Sequence, residues 1–276
     1  TVSKSTRGRA TGTAGSIASS LVLAFRLLIS FGVLPLTVPT ITWALVVAAG
    51  LWLLAAGTFM TLAERPGATG GGGRPLTGAR ARWGLLWPDA QRRAFGAVRG
   101  LLVATALAPP YILSLGGTSG AERIGQLGPF VIASSAAAVS SAWLWGRLAD
   151  RSSRKTLLGA SLIAFAVLGA LGGAARWAPD VLSVSLALPA ALFVLMVAYQ
   201  GVRIGRSTHI VDMADGDTRA AYTALSNTAI GVLLLLASGF GALAQVAGVW
   251  AVLLTFSLLC GAAAVLSLGL EEVQGP

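Results

Sequence analysis

Residues 146–155 read GRLADRSSRK, a short polar stretch between two long apolar segments, 127–146 and 156–174. Each apolar segment has about 20 residues, which is the length that an α-helix needs to cross the hydrocarbon core of a bilayer. The basic side chains and the single carboxylate between the two segments are costly to bury in hydrocarbon. The pattern therefore predicts a hairpin of two membrane-spanning helices, with residues 146–155 as the loop at one membrane surface.

The composition of the whole chain agrees with this prediction. Hydrophobic residues make up 55% of the 276 residues and charged residues 11%, with a mean hydropathy of +0.78. Soluble domains carry about 25% charged residues, so lipid must cover much of this surface. The net charge is +10, and the basic residues flank apolar segments, which favours anionic lipid headgroups over nucleic acid as the partner. The predicted fold class is all-α, a polytopic transmembrane helical bundle in the lipid bilayer.

Eight apolar segments are long enough to be transmembrane helices. They are 16–36, 41–62, 98–116, 127–146, 156–174, 181–202, 222–244 and 249–270. An even number of spans puts both termini on one side of the membrane. All Lys and Arg residues except Arg26, Arg123 and Arg176 then fall on that side, and such an excess marks the cytoplasm. We therefore predict that both termini of the chain are cytoplasmic.

The polar stretch 146–155 resembles the loop between the second and third helices of one half of a major facilitator superfamily transporter, roughly G-x-L-a-D-r-x-G-r-[kr]. Residues 199–228 are also similar to bacterial members of that superfamily, and residues 7–16 resemble 219–228 as a weak internal repeat. Ser153 departs from the motif, which has a second Gly at this position. If the position needs a left-handed backbone, Ser has a steric cost there that Gly avoids.

The resemblance implies a domain organisation and a function. The superfamily has twelve helices in two six-helix halves joined by a long cytoplasmic loop. Residues 1–65 then correspond to the last two helices of the N-terminal half, 66–97 to the linker with an interfacial segment, and 98–276 to the C-terminal half. The first four helices of the family pattern are missing. The implied activity is alternating-access transport of a small solute across a bacterial inner membrane, with efflux as the direction that family frequency favours.

The resemblance also implies that the loop is a conformational switch. Its residues are Gly146 for close helix packing, Asp150 near the N-terminus of the next helix, and the cations Arg151, Arg154 and Lys155. A carboxylate is favoured beside free amides at a helix N-terminus. By the pseudo-symmetry of the family, this loop is expected to dock on the start of the first span, near residues 9–16. The alternative is ordinary cytoplasmic positive charge, which explains the basic residues but not Asp150.

Five polar residues in or beside the spans are candidates for a solute cavity. Arg26 is the one charge predicted at mid-depth, where an arginine usually faces protein or water. It either attracts an anionic solute or is a structural residue that contacts the missing helices or a carbonyl. The other four are Tyr111, Tyr199, Gln200 and Asn227. Each of these four either lines the cavity or serves as an interfacial or helix–helix polar residue.

The chain lacks the usual signs of an enzyme or a metalloprotein. It has one cysteine, Cys260, and one histidine, His209, which we place in a loop. Asp212, Asp215 and Asp217 lack the EF-hand spacing and its final Glu. We predict no enzyme activity, no metal and no cofactor. The sequence leaves coupling to a proton or ion gradient open, because no acid lies mid-span. The alternative function is a truncated or non-transporting membrane protein that needs a partner or the missing helices. The sequence leaves the oligomeric state open.

Overall fold

The computed structural model describes residues 7–31, 33–34, 37–61, 90–116, 121–184, 186–213, 227–228 and 230–272, and within them it contains helices and no strand. The helices are α1 Arg7–Ser30, α2 Val38–Met60, α3 Ala90–Leu101, α4 Ala104–Ser114, α5 Ala121–Arg151, α6 Ser153–Trp177, α7 Ala187–Met213, α8 230–236, α9 Gly239–Ala247 and α10 Val249–Leu268. A short 3-10 helix, Pro179–Ser183, precedes α7.

Six helices in the described residues are long and apolar enough to cross a membrane. They are Val38–Met60, Ala90–Ser114, Ser153–Trp177, Ala187–Ile210, Ile230–Ala247 and Val249–Leu268, where the second combines α3 with α4 and the fifth combines α8 with α9. The all-helical class is confirmed, and these six helices mark an integral membrane protein by length and composition. The number of eight spans is not confirmed. The apolar part of α1 is shorter, Thr13–Ile29, and the 31-residue α5 carries many serines and charges.

The bundle is built around α5, α6, α7 and α10. α6 packs along both α10 and α7, α7 packs on α5, and α1 packs along α5 on the outside. α3 and α4 cover α10, and α4 also reaches α7. Phe256 of α10 is fully buried at the centre, together with Leu168 of α6 and Leu195 of α7. By contrast, α2 has no buried residue.

Helix α7 differs from the predicted span 181–202. The chain forms a 3-10 helix at Pro179–Ser183 and starts α7 only at Ala187, so Pro189 lies in the first turn, where a proline is tolerated. The helix then continues past Arg203 and Arg206 to Met213. His209 is therefore a helical residue and not a loop residue. The prediction ended the span at the first charge, whereas the backbone hydrogen bonds of a helix continue across charged residues.

Two of the membrane-length helices are broken near their middle. The first breaks between α3 and α4 at residues 102–103, several residues before Pro109 and Pro110, which lie inside α4. The second breaks between α8 and α9 at residues 237–238. The hairpin turn from α9 to α10 is made by Gly248, whose φ of 95° is accessible mainly to glycine. This turn lies between the predicted spans 222–244 and 249–270.

Candidate functional site

The loop predicted at 146–155 is reduced in the structure to one residue. α5 ends at Arg151 and α6 begins at Ser153, so Ser152 alone is extended, with φ −162° and ψ 102°. The Ser152 Oγ accepts a hydrogen bond from the Lys155 N–H at 3.0 Å and so caps α6. Non-glycine residues with positive φ are absent from the described part of the chain. Ser153 therefore starts α6 in the right-handed region, and the steric cost considered above does not arise.

The chain end after α10 is tied to this connection. We call residues Gly269–Glu272 the C-terminal strap. The Ser152 Oγ donates to Glu272 Oε2 at 2.6 Å, and Arg154 Nη1 donates to the Leu270 carbonyl at 3.2 Å. Arg154 Nε also lies 3.8 Å from Glu272 Oε2. On the other side, Gln91 in the first turn of α3 donates to the Gly269 carbonyl and accepts from the Glu271 N–H. The strap therefore joins the starts of α3 and α6, and nothing in the sequence indicated this.

A buried polar contact lies next to the strap. Ser153 Oγ is 2.8 Å from His209 Nδ1, and both residues are almost fully buried. The Phe95 ring of α3 lies 4.7 Å from the imidazole. α3, α6 and α7 therefore meet at one point at this end of the bundle. At this end of the bundle, α1, α3 and α6 begin and α5, α7 and α10 finish.

We expect Glu272→Gln to loosen the end of the strap without unfolding the protein, because only the contacts to Ser152 and Arg154 Nε use this carboxylate. Arg154 and Glu272 are each about one-third exposed, and such pairs contribute about 0–1 kcal/mol. The global unfolding temperature should stay nearly unchanged, while carboxypeptidase should trim the chain past residue 272 faster, as read by intact mass. Glu271→Gln is the matched control, because the strap uses the backbone N–H of Glu271. Equal trimming rates for the two variants would contradict the role of the Glu272 carboxylate.

The remaining loop residues occupy different environments. Gly146 is buried within α5, Asp150 is half-buried in the last turn of that helix, and Arg151 and Lys155 are exposed. The antiparallel packing of α1 on α5 shows which part of α1 lies beside Asp150. The Ser16 Oγ donates to the Val139 carbonyl at 3.3 Å, and the Arg26 guanidinium covers Gly128 near the other end of the contact. Continued in the other direction, this register brings the first turn of α1 level with the last turn of α5. The expected docking of the loop near the start of the first span is compatible with that geometry.

Arg26 lies near the C-terminal end of α1. α1 ends at Ser30, so Arg26 lies one turn before the end of the helix, whereas the predicted span continued to residue 36. Its guanidinium packs on Gly128 of α5, where a side chain would collide with it. The buried Nε has no hydrogen-bond partner among the described residues. Arg26 is thus a cation held in the contact between two helices.

The other four candidates do not come together in one cavity. The Tyr111 ring packs edge-on against Phe256, with 5.6 Å between centroids. Tyr199 is half-buried on α7, and the neighbouring Gln200 is buried with its Oε1 unpartnered among the described residues. Asn227 is exposed, and its Oδ1 accepts a hydrogen bond from Arg99 Nη2 at 2.8 Å. Asn227 therefore acts as a helix–helix polar residue, the second of the two roles considered for it.

The sequence analysis assigned three arginines to the cytoplasmic side and gave them no further role. The structure places all three inside helices. Arg99 lies in α3, and Arg203 and Arg206 lie on one face of α7 because they are three residues apart. Arg206 is close enough to Arg99 for their charges to repel each other, and Arg203 reaches α1 at Gly15. The i, i+3 spacing on a continued α7 was the signal that could have predicted this grouping.

Two open cavities lie elsewhere among the described residues. A cavity of 650 Å³ lies at the far end of the bundle, between the ends of α4 and α6 and the starts of α5 and α7. An apolar groove of 440 Å³ lies between α3, α4, α8, α9 and α10. Neither is lined by any of the five candidate solute residues. The described residues include no group of three His, Cys, Asp or Glu side chains that could hold a metal ion.

Comparison with known proteins gives no relative of this chain. No protein-family model, curated protein or solved structure matches the chain. The fold and composition define the class, an all-helical integral membrane protein.

Proposed function

We propose that the protein is a secondary active transporter of the major facilitator type, which moves a small solute by alternating access between two helix bundles. The packing of α1 along α5 carries this proposal, because the two helices come from opposite sides of residues 66–97, where the sequence predicts the linker between two halves. Under this proposal α1 and α5 also cross the membrane, which brings the six membrane-length helices to the predicted eight. Both termini face the cytoplasm, and the membrane is the bacterial inner membrane.

Charged and amide groups held between the helices support transport over a purely structural role. Arg26 and Gln200 each keep a buried polar atom without a partner among the described residues, and Arg203 spans the contact between α1 and α7. Polar groups inside membrane helices are costly, so they commonly mark solute or ion pathways. The proposed substrate is a small solute, and the energy source is a proton or ion gradient.

A disulfide between α1 and α5 tests alternating access. A Cβ on Gly15 would lie 3.9 Å from the Ala142 Cβ, within the range of about 3.5–4.5 Å that disulfides adopt. The nearest obstacle is the end of the flexible Arg203 side chain at 3.2 Å. In a Cys260→Ala background, oxidation of Gly15→Cys/Ala142→Cys should abolish solute flux into proteoliposomes, and reduction should restore it. The single-cysteine variants, treated with the same oxidant, control for chemical damage.

The flux experiment uses a panel of radiolabelled organic anions, sugars and amphiphiles. A complete crosslink with unchanged flux would refute movement between α1 and α5. The absence of flux for every solute before oxidation would instead favour the second candidate, a non-transporting membrane protein that needs a partner or further helices. The surface of α2, which has no buried residue in the described structure, favours that candidate. Flux that appears only after such a partner is added would support it.

A further inference from the structure

We propose that the apolar groove between α3, α4, α8, α9 and α10 binds an acyl chain of an anionic phospholipid, whose phosphate lies at Arg99. This site is separate from solute transport and depends only on the protein being embedded in a bilayer.

The groove has the size and lining of a site for a hydrocarbon chain. Its volume is 440 Å³, within the range of about 300–1,000 Å³ that is typical of ligand sites. The lining is almost entirely carbon and includes Gly96, Leu107, Leu236, Phe240 and Leu259. All of these residues belong to helices long and apolar enough to cross a membrane. Hydrocarbon is therefore the solvent at the groove, and an acyl chain can enter it sideways without losing contact with the bilayer.

Glycines shape the groove. At Gly100 a Cβ would lie 2.9 Å from the Leu233 side chain, so α3 and α8 are in contact there. One turn earlier, at Gly96, no atom of the described residues lies within 4 Å of the Cβ position, and the groove is open. A larger side chain at position 96 would therefore occupy the groove without displacing any neighbour.

Positive charge is concentrated at the polar end of the groove. Arg99 lies between Gly96 and Gly100 on α3, and its bond to Asn227 joins α3 to the segment that precedes α8. Arg206 adds a second charge close to Arg99, and Arg92 and Arg93 lie about two turns earlier on α3. Basic residues at the end of membrane helices attract anionic headgroups. This charge complementarity selects an anionic phospholipid over a neutral lipid.

The test compares two lipids with identical acyl chains on the full chain, purified and delipidated in detergent. Phosphatidylglycerol should raise the unfolding temperature more than phosphatidylcholine and should remain bound in native mass spectrometry. Gly96→Leu should abolish both effects because leucine fills the groove. Gly57→Leu on α2 is the matched control, since its Cβ position is equally open and lies outside the groove.

A second variant tests the headgroup independently of the groove. Arg99→Gln should reduce the preference for phosphatidylglycerol about fivefold, the contribution of one basic residue near an anionic headgroup. Arg99→Lys should keep most of that preference. The proposal is overturned if Gly96→Leu binds phosphatidylglycerol as well as Gly57→Leu does. It is also overturned if the wild-type protein does not distinguish the two lipids.

Discussion

Gly172→Leu is expected to lower the unfolding temperature of the protein by several degrees, whereas Gly173→Leu at the next position should leave it nearly unchanged. A Cβ on Gly172 of α6 would lie 2.8 Å from Leu254 Cγ and 3.0 Å from the Leu254 backbone nitrogen of α10. A backbone atom cannot move away as a side chain does, so the larger residue must separate the two helices. Overpacking of this kind costs about 1–3 kcal/mol.

The adjacent glycine provides a matched control on the same helix. At Gly173 the nearest atoms belong to the Trp177 ring, 3.6 Å from the Cβ position, which is ordinary contact. Small residues at helix contacts are a general feature of membrane bundles because they let backbones approach closely. Equal losses for the two leucine variants would show that the close approach of α6 and α10 does not depend on Gly172.

The single cysteine of the chain supplies the measurement. Cys260 is fully buried on α10, the helix that Gly172→Leu displaces. A fluorophore that reacts with thiols should label the protein only as it unfolds, so the labelling temperature reports unfolding in detergent without any introduced probe. Faster labelling of Gly172→Leu at low temperature would locate the loosening at the contact of α6 with α10.

Trp145→Ala is expected to destabilise the protein strongly, and Trp143→Ala only slightly. The Trp145 ring is 5% exposed and covers Gly201 of α7, where a Cβ would lie 2.8 Å from the ring. Its Nε1 donates to the Val197 carbonyl at 2.8 Å. Loss of the ring leaves a cavity between α5, α6 and α7, and such truncations cost about 3–5 kcal/mol in protein cores.

Trp143, two residues earlier, points away from these helices. It is 48% exposed, and Arg147 stacks on it at 4.2 Å. An exposed cation–π pair contributes about 0.5–1 kcal/mol, so its loss should be small. Trp145→Phe keeps most of the volume but removes the hydrogen bond, and its labelling temperature should fall between those of the wild type and Trp145→Ala. A larger loss for Trp143→Ala than for Trp145→Ala would contradict the packing described.

The sequence predicted best the helices whose limits are set by local chemistry. The predicted span 249–270 matches Val249–Leu268 because Gly248 ends the preceding helix and a continuous apolar run follows. It failed at α7, where Arg203 and Arg206 resemble the start of a loop. The charges of these residues are accommodated beside α3 and α1, and the sequence does not indicate that these helices are neighbours.

The candidate site residues also divide into those that a local motif indicates and those that depend on helix packing. Asp150 and Arg154 were singled out from a local motif, and the motif does lie where two helices join. The partners of that connection are distant in the chain. Glu272 is 120 residues from Ser152, and His209 is 56 residues from Ser153. Hydrogen bonds over such separations depend on how the helices pack, so no motif could have predicted them.

The amino-acid sequence alone predicts a bundle of apolar helices in a membrane, because about 20 consecutive apolar residues can cross the hydrocarbon core and satisfy their backbone hydrogen bonds as a helix. It also determined the hairpin on either side of Ser152, because polar side chains interrupt the apolar segments there. Tertiary structure decided which helices touch, since the faces of uniformly apolar helices are alike until Gly172, Gly201 and Trp145 are matched with particular neighbours. Through those matches it placed Arg99 at the groove and Glu272 at the start of α6.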